Sequence, residues 1–241
     1  MFKKSVNYSR ILICSDSHLP NHHPDTIAFY SAIINKLKPT YCCHVGDLCD
    51  FSSLQVNRNI DPNIDSPVLE LTKTREAIKE FEKLFPKLDI TYGNHDLRLQ
   101  RKSENMGIPS DFIKGFNQLL NITADWKWHQ KLLIPLPSGQ DLFVTHNFKA
   151  NILQSAMGLN CCFACGHYHT QMQISYASSP TQLYWAMCVG TTLNPKSDAF
   201  KYQRTFVKRP LLGCGIVIDS IPQIIPMILD KHGRWTGKIR I

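Results

Sequence analysis

The N-terminal part of the sequence alternates between short apolar segments and amphipathic ones, and this alternation constrains the fold more than any other feature. Apolar segments at residues 10–14, 41–45 and 89–92 have the length of buried strands. The segments between them, 25–37 and 68–85, have helical periodicity, and a proline shortly after each one ends the predicted helix. Strands that alternate with helices in this way are typical of a mainly parallel sheet.

The pattern changes after Asp96. Residues 97–125 are predicted to be helical and partly polar, with breaks at glycine and proline, and residues 51–67 are predicted to be an irregular connection. One further helix is predicted at 149–157. Strands are predicted at 132–134, 141–145, 161–165, 172–176, 183–189, 212–219 and 224–229. Since no repeat or linker divides the chain, we predict a single domain over residues 1–241, with small inserts at 51–67 and 97–125.

Composition excludes several classes of protein. The chain has 241 residues, of which 43% are hydrophobic, as in an ordinary globular protein. No apolar run is long enough for a membrane span or a signal peptide, so we expect no membrane partner. Nine cysteines suit buried thiols in a reducing cytoplasm better than a disulfide scaffold. Cys162 and Cys165 precede two histidines and allow a zinc-knuckle interpretation, but we favour a buried strand because no second Cys-x-x-Cys is present.

The net charge of +8 leaves nucleic acid open as a partner, although we do not favour it. One basic group, Arg98, Arg101 and Lys102, directly follows a polar block, and Arg98 is close enough in sequence to contact a substrate. The second basic stretch, 196–209, contains Lys196, Lys201, Arg204, Lys208 and Arg209, interleaved with Phe200, Tyr202 and Phe206. That pattern fits base stacking. We favour a solvated loop with its aromatic side chains turned inward.

Five short polar blocks follow the predicted strands. They are Asp16-Ser17-His18, Gly46-Asp47, Gly93-Asn94-His95-Asp96, His146 and Gly166-His167-Tyr168-His169. Carboxylate oxygens and neutral imidazole nitrogens are ligands for catalytic Mn²⁺, Fe, Zn²⁺ or Mg²⁺, whereas a thiolate-rich set would indicate structural zinc. A glycine within three of the blocks allows the backbone to turn sharply and approach an ion. Polar groups that end neighbouring strands are expected to meet at one edge of the sheet.

The ordered blocks resemble the calcineurin-like metallophosphoesterase superfamily, and within it the small phosphoesterases of phages and bacteria. The family pattern is Asp-x-His, Gly-Asp-x-x-Asp, Gly-Asn-His-Asp or Glu, His, and Gly-His-x-His, and all five elements occur between residues 16 and 169. This resemblance implies an α/β (α+β) sandwich in which helices flank two mixed β-sheets, giving four layers. It places the metals on loops at one end of the sandwich.

The resemblance also implies ligands for two divalent ions. Asp16, His18 and His169 would bind the first ion, and Asn94, His146 and His167 the second, with Asp47 bridging the two. Mn²⁺ is the expected metal, with Fe, Zn²⁺, Ni²⁺ and Mg²⁺ as alternatives. A hydroxide between the ions would attack phosphorus in line.

Three further residues receive roles from the resemblance. His95 would contact the phosphate and protonate the leaving alcohol, Asp96 would orient His95 and raise its pKa, and Asp50 would support the ligands. The sequence departs from the family pattern at Tyr168 and Asn147, and neither change removes a ligand. Of the other histidines, His44 is expected to be buried in its strand, and His22 and His23 are expected at the mouth of the site.

The leading functional hypothesis is a cytoplasmic, dinuclear metal-dependent phosphomonoesterase or phosphodiesterase that acts on a small or nucleotide-like phosphate ester. A first alternative is a DNA nuclease similar to the exonuclease subunit of the double-strand-break repair complex. A second alternative is a scaffold protein of the same fold that binds metal without catalysis.

Overall fold

The computed structural model describes residues 8–55, 64–197, 200 and 208–241. Among these residues, eleven strands form two mixed sheets and five α-helices cover them. The strands are β1 (Arg10–Cys14), β2 (Tyr41–His44), β3 (Lys87–Thr91), β4 (Asp125–His129), β5 (Leu132–Pro135), β6 (Asp141–Thr145), β7 (Cys162–Cys165), β8 (Met172–Ser178), β9 (Leu183–Val189), β10 (Gly213–Ile218) and β11 (Ile221–Pro226). The helices are α1 (Thr26–Leu37), α2 (Pro67–Leu84), α3 (Arg98–Asn105), α4 (Phe116–Leu120) and α5 (Ile152–Leu159).

The first sheet has the strand order β11-β10-β1-β2-β3-β4, and the second has the order β5-β6-β7-β9-β8. In the first sheet β1, β2, β3 and β4 run parallel, and β10 joins β1 in the antiparallel direction. In the second sheet β6, β7 and β9 run parallel between two antiparallel edge strands. Both sheets are therefore mixed.

Apolar side chains between the two sheets hold them together. Ile11, Ile13 and Val45 of the first sheet pack in one buried cluster with Val144 and Met187 of the second. The outer faces have their own clusters, with α1 and α2 against the first sheet and α5 against the second. The result is the predicted four-layer α/β sandwich.

Five parallel strands end at the same edge of the sandwich. In the first sheet Cys14 of β1 is in register with His44 of β2, and His44 is in register with Ile90 of β3. In the second sheet Thr145 of β6 is in register with Cys165 of β7. The polar blocks directly follow these residues, so all five emerge at one end of the molecule.

Two strands differ from the sequence prediction. Strand β4 is not among the strands predicted from sequence, and its first residue, Asp125, falls in the predicted insert 97–125. Strand β11 begins three residues before its predicted start at Ile224. Helix α5 is displaced toward the C-terminus, because the side chain of Asn151 caps it by accepting a hydrogen bond from the Gln154 backbone N–H at 3.1 Å.

The zinc-knuckle alternative is wrong for this structure. Cys162 and Cys165 are fully buried at the two ends of β7, and all nine cysteines are free thiols. None of the helices among the described residues combines the length and apolarity that crossing a bilayer requires.

Candidate metal site

The ligand-bearing blocks approach one another so closely that two glycines have no room for a side chain. A Cβ atom on Gly166 would lie 1.9 Å from Asp16 Oδ1, and one on Gly93 would lie 2.0 Å from Asp47 Oδ1. Both distances are far shorter than any non-bonded contact, so alanine at either position would displace a carboxylate. The glycines therefore allow loops of both sheets to meet at the two aspartates.

Asp16, His18, Asp47 and His169 form the first group of donor atoms, which all lie within 4.8 Å of one another. His18 Nε2 and His169 Nε2 are 3.0 Å apart, and His169 Nε2 is 3.0 Å from Asp16 Oδ2. His18 Nε2 lies 3.8 Å from Asp47 Oδ2. These four residues come from three loops that are distant in sequence.

Asn94, His146 and His167 form a second group, on the other side of Asp47. Asn94 Oδ1 lies 3.0 Å from His146 Nε2 and 2.9 Å from His167 Nδ1. The two imidazole nitrogens are 3.2 Å apart, and His146 Nε2 is 3.2 Å from Asp47 Oδ2. Asp47 Oδ2 therefore faces both groups.

Two of the histidines are held in the tautomer that a metal requires. His146 Nδ1 is 3.0 Å from the carbonyl oxygen of Val45, which can only accept, so Nδ1 carries the proton. His18 Nδ1 is 3.3 Å from Asp50 Oδ1 and donates to that carboxylate in the same way. Each Nε2 then presents a lone pair to the site, as metal-bound histidines do.

The donor set fits divalent cations. Asp16 Oδ1 is buried and has no hydrogen-bond partner among the described residues, which is costly for a carboxylate oxygen unless a cation binds it. Two ligands about 2.1 Å from one ion at right angles would lie about 3 Å apart, close to the His18 to His169 separation of 3.0 Å. Nitrogen and oxygen donors without a thiolate suit Mn²⁺, Fe, Zn²⁺ or Ni²⁺.

Electrostatics also indicate a missing positive charge. Burial lowers the pKa of His146, but Asp47 and Asp16 outweigh burial and raise that pKa to about 10. Burial raises the pKa of Asp47, and His146 and His95 outweigh it and hold that pKa well below its usual range. The two carboxylates therefore stabilise positive charge at His146 Nε2, whether it is carried by a proton or by a bound cation. Burial and the neighbouring His95 lower the pKa of His18 to about 4, so His18 is neutral at pH 7.

The carboxylate that orients His95 is Asp50 rather than Asp96, which corrects the role expected from sequence. His95 Nδ1 is 2.8 Å from Asp50 Oδ1, and Arg98 Nη2 is 3.1 Å from His95 Nε2. Arg98 can only donate, so Nε2 accepts and Nδ1 donates to Asp50. Burial lowers the pKa of His95, but Asp47 and Asp50 raise it above its usual range.

Asp96 instead fixes the backbone of the ligand loops. Its carboxylate accepts backbone N–H bonds from Asp47 at 2.8 Å, Cys49 at 2.9 Å and Gly93 at 2.9 Å. Asp96 is fully buried, and burial together with Asp47 raises its pKa to about 7. One carboxylate thus ties the second block to the third.

Several residues that support the site were not found from sequence. Asn21 donates to Asp50 Oδ2 at 2.7 Å, and the Thr191 hydroxyl donates to the backbone carbonyl of Asp16 at 2.7 Å. Buried Glu70 on α2 accepts hydrogen bonds from the backbone N–H groups of Ser52 at 2.7 Å and Ser53 at 2.9 Å, just after Asp50. A single asparagine, threonine or glutamate carries no pattern that distinguishes it from a surface residue.

The remaining histidines do not join the donor groups. His44 is buried as expected, and its Nε2 is 3.0 Å from the Ser17 hydroxyl. His23 and His22 do not line the mouth of the site as predicted. His23 Nε2 bonds the Gly233 carbonyl at 3.0 Å, and the ring of His22 packs edge-on against Phe81.

The second basic stretch is described only in part. Phe200 is 1% exposed, and its ring packs edge-on against His18 with 5.2 Å between centroids, so this aromatic side chain is turned inward as expected. Lys201, Tyr202, Arg204 and Phe206 lie outside the described residues. Tyr168, which departs from the family pattern, donates to Asn147 Oδ1 at 2.9 Å, so the two departures contact each other.

Solved structures share this architecture. Vacuolar protein sorting 29 from Cryptosporidium parvum is 11% identical with a TM-score of 0.50, and the alignment covers 97% of this chain and 95% of that one. Vps29 from Chaetomium thermophilum is 10% identical with a TM-score of 0.48, covering 99% and 96%. YfcE, a phosphoesterase from E. coli, is 12% identical with a TM-score of 0.41, covering 94% and 96%. At these identities the likeness concerns the fold alone.

Sequence comparison assigns the family. No curated protein sequence matches the chain. The profile of the calcineurin-like phosphoesterases matches residues 9–184, which include all five polar blocks and every donor atom of the two groups. The chain therefore belongs to the calcineurin-like phosphoesterase family.

Proposed function

We propose that this protein is a metal-dependent phosphoesterase that uses two divalent cations to hydrolyse a phosphate monoester or diester. One observation carries the proposal: Asp47 Oδ2 lies 3.2 Å from His146 Nε2 in one donor group and 3.8 Å from His18 Nε2 in the other. A single carboxylate oxygen between two sets of nitrogen and oxygen donors is the arrangement that a pair of cations needs.

Each cation would have its own ligands and share Asp47. Asp16, His18 and His169 would hold the first cation, and Asn94, His146 and His167 the second. Mn²⁺ is the proposed metal, with Fe, Zn²⁺, Ni²⁺ and Mg²⁺ as alternatives that the same donors accept. When bound, the cations supply positive charge to the phosphoryl oxygens and activate water for in-line attack on phosphorus.

His95 and Arg98 are proposed to act on the substrate at the open side of the site. Their side chains are 12% and 17% exposed, whereas Asp47 and Asp50 beside them are at most 2% exposed. The Arg98 guanidinium would bind a phosphoryl oxygen, which releases His95 Nε2. Once released, His95 Nε2 would take up a proton from solvent, which Asp47 and Asp50 favour by raising the pKa of His95, and would deliver it to the leaving alcohol.

The test is hydrolysis by purified protein loaded with Mn²⁺. An aryl phosphate monoester, an aryl phosphodiester and single-stranded DNA are assayed in parallel, with Asp47→Ala as the inactive variant. Asp89→Ala is the control, because Asp89 is also a carboxylate beside a histidine but is about a quarter exposed and lies outside both donor groups. We expect turnover of at least one aryl ester by the parent and by Asp89→Ala, and none by Asp47→Ala.

The same assay separates the alternatives. Activity on DNA with none on the aryl esters would favour the nuclease. Two bound metals per chain without hydrolysis of any substrate would contradict the enzyme hypothesis for these ester classes and favour a metal-binding scaffold. A cytoplasmic location stays a prediction, supported by nine cysteines without disulfides.

A further inference from the structure

A small cavity lies between α3 and the segment that leads into α4, and two of its lining residues, Tyr92 and Leu99, are close in sequence to residues of the candidate metal site. Its volume is about 190 Å³. Its apolar wall is formed by half-buried side chains, namely Tyr92, Leu99, Ile113, Phe116 and Leu119. Apolar side chains left half-exposed around a concave surface are typical of a ligand subsite.

The cavity is joined to the site by a short stretch of chain. Tyr92 directly precedes Gly93 and Asn94, and Leu99 directly follows Arg98, whose guanidinium contacts His95 Nε2 at 3.1 Å. Consecutive Cα atoms are about 3.8 Å apart, so the wall begins within one or two residues of the candidate ligands. An ester with its phosphorus at the metal site could therefore place its alcohol part in this cavity.

The rings of Tyr92 and Phe116 form one side of the wall, and Trp128, which does not line the cavity itself, supports both of them. Trp128 of β4 stacks on Phe116 with ring centroids 4.4 Å apart and on Tyr92 with centroids 5.6 Å apart. The indole is fixed by its Nε1–H, which donates to Asn117 Oδ1 at 2.9 Å. Rings held in this way offer a rigid surface on which a planar base can stack.

Polar groups stand at the edge of the same cavity. Gln100, Ser110 and Lys114 line it, and Gln100 Nε2 donates to Glu104 Oε1 at 2.8 Å, which holds the amide in one orientation. Hydrogen-bonding groups around an apolar slot can recognise the edge of a heteroaromatic ring, whereas an alkyl chain would leave them without partners.

The volume of the cavity limits the size of the group that can bind in it. Pockets that enclose a whole small molecule have roughly 300–1,000 Å³, so a cavity of about 190 Å³ suits one ring system rather than an entire ligand. We propose that this cavity binds the nucleobase of a nucleoside phosphate ester, whose phosphate lies at the metal site. The inference rests on the proposed function, because it names the alcohol part of the ester that is hydrolysed.

A cavity-filling variant tests the subsite. Gly115 lines the cavity, and a Cβ atom there meets nothing within 4 Å, so Gly115→Phe adds a ring without a backbone clash. Gly158→Phe is the matched control, because Gly158 lies on α5 at the other sheet and a Cβ atom there also meets nothing within 4 Å.

Two readouts are measured on parent and variants. The first is binding of adenosine, which has no phosphate, by saturation-transfer NMR. The second is the ratio of kcat/KM for adenosine 5′-monophosphate to kcat/KM for glycerol 2-phosphate, with n-octyl phosphate as a third ester. We expect Gly115→Phe to weaken adenosine binding and lower the ratio by about tenfold or more, as expected when stacking of one base is lost. Gly158→Phe should match the parent in both.

The outcomes separate this inference from the proposed function. If the parent binds adenosine, Gly115→Phe does not, and no ester is hydrolysed, the proposed function is contradicted while the subsite is supported. Ester hydrolysis with no adenosine binding, or with equal losses on all esters in Gly115→Phe, would overturn the subsite. A higher kcat/KM for n-octyl phosphate than for the nucleotide would indicate that the cavity binds an alkyl chain rather than a base, and would also overturn the inference.

Discussion

The first sheet carries two histidine–carboxylate clusters that differ in hydrogen bonding. In the incomplete cluster, around Asp16 and Asp47, one buried carboxylate oxygen has no partner among the described residues. In the complete cluster, around Asp89, both carboxylate oxygens have partners. At the carboxyl ends of the strands, Asp16 and Asp47 are buried, and Asp16 Oδ1 has no partner among the described residues. Within the sheet, Asp89 on β3 accepts from Tyr41 at 2.7 Å and lies 2.6 Å from Nε2 of His129, the last residue of β4. Both Asp89 and His129 are about a quarter or more exposed.

Of the two cavities described, the larger one lies at the complete cluster around Asp89. A cavity of about 550 Å³ opens at the amino ends of β2, β3 and β4, where Asp89 lies among its lining residues. The donor groups at the carboxyl ends converge on Asp47 Oδ2 instead. A buried carboxylate oxygen without a partner, rather than the cavity of about 550 Å³, therefore marks the candidate metal site.

The largest expected effect comes from the incomplete cluster itself. Asp16→Asn removes one negative charge and weakens a ligand, so kcat/KM for an aryl phosphate ester should fall by more than about 100-fold, beyond the loss expected for an outer partner. Asp89→Asn makes the same change in the complete cluster, and its kcat/KM should stay within about twofold of the parent value, because Asp89 contacts no member of either donor group. Steady-state kinetics with Mn²⁺ measure both, and similar losses in the two variants would contradict the comparison.

Metal should stabilise the protein through the incomplete cluster alone. A cation at about 100 times its Kd adds about 2.7 kcal/mol to the free energy of unfolding if it binds only the folded state. Thermal unfolding with Mn²⁺ and with a chelator should show this increase in the parent and in Asp89→Asn, and a smaller one in Asp16→Asn. An equal increase in all three would place the bound metal elsewhere.

An intermediate effect is expected from the residue that orients both histidines. Asp50→Asn leaves His18 and His95 without their carboxylate partner, and loss of such a partner lowers metal affinity or activity by about 10- to 100-fold. Asp125→Asn, beside the cavity at the opposite end, is the control. Mn²⁺ affinity by equilibrium dialysis and kcat/KM would both be measured, and unchanged values in Asp50→Asn would remove it from the site.

The smallest effect concerns the complete cluster at high pH. Burial, Cys43 and Asp89 raise the pKa of Tyr41 in the folded protein above its usual value. The stability it contributes is present below pH 10 and is lost as pH rises further, because the unfolded chain ionises there first. Tyr41→Phe should therefore reduce the loss of stability between about pH 10 and 11 by at most about 1.4 kcal/mol. Urea unfolding at both pH values tests this, and parallel losses in parent and variant would refute it.

Periodicity predicted the alternating strands and helices of the N-terminal part because those elements are clearly ended, whereas the two-sheet sandwich was predicted from the family resemblance. Helix α1 ends at Leu37, because Lys38 takes the left-handed conformation just before Pro39. Helix α2 begins at Pro67, and the side chain of Ser66 caps it. Both boundaries agree with prediction within one residue. The five blocks were equally clear, because each contains several ligand-type residues in a fixed order.

The missed elements have weaker local signals. Strand β4 has no continuous apolar run, because Trp126 and Trp128 alternate in it with polar residues. It therefore resembles the polar insert that precedes it. Strand β11 contains Pro222, which argues against a central strand, but β11 is an edge strand and tolerates it. The role of Asp96 was also missed, because neighbours in sequence are not partners in a turn, and Asp50 reaches His95 from another loop.

The backbone at three candidate ligands narrows the amino acids that those positions can accept. His18, Asp47 and His167 have φ angles of 52°, 50° and 67°, in the left-handed region that few side chains adopt. Aspartate, asparagine and histidine are the residues most often found there apart from glycine, and they are also the residues whose side chains bind hard cations. Glycine would relax the backbone but offer no donor atom, whereas β-branched residues would strain the turn. Substitution at these positions is therefore restricted twice, once by coordination chemistry and once by conformation, and a laboratory selection for metal binding should recover few residue types there.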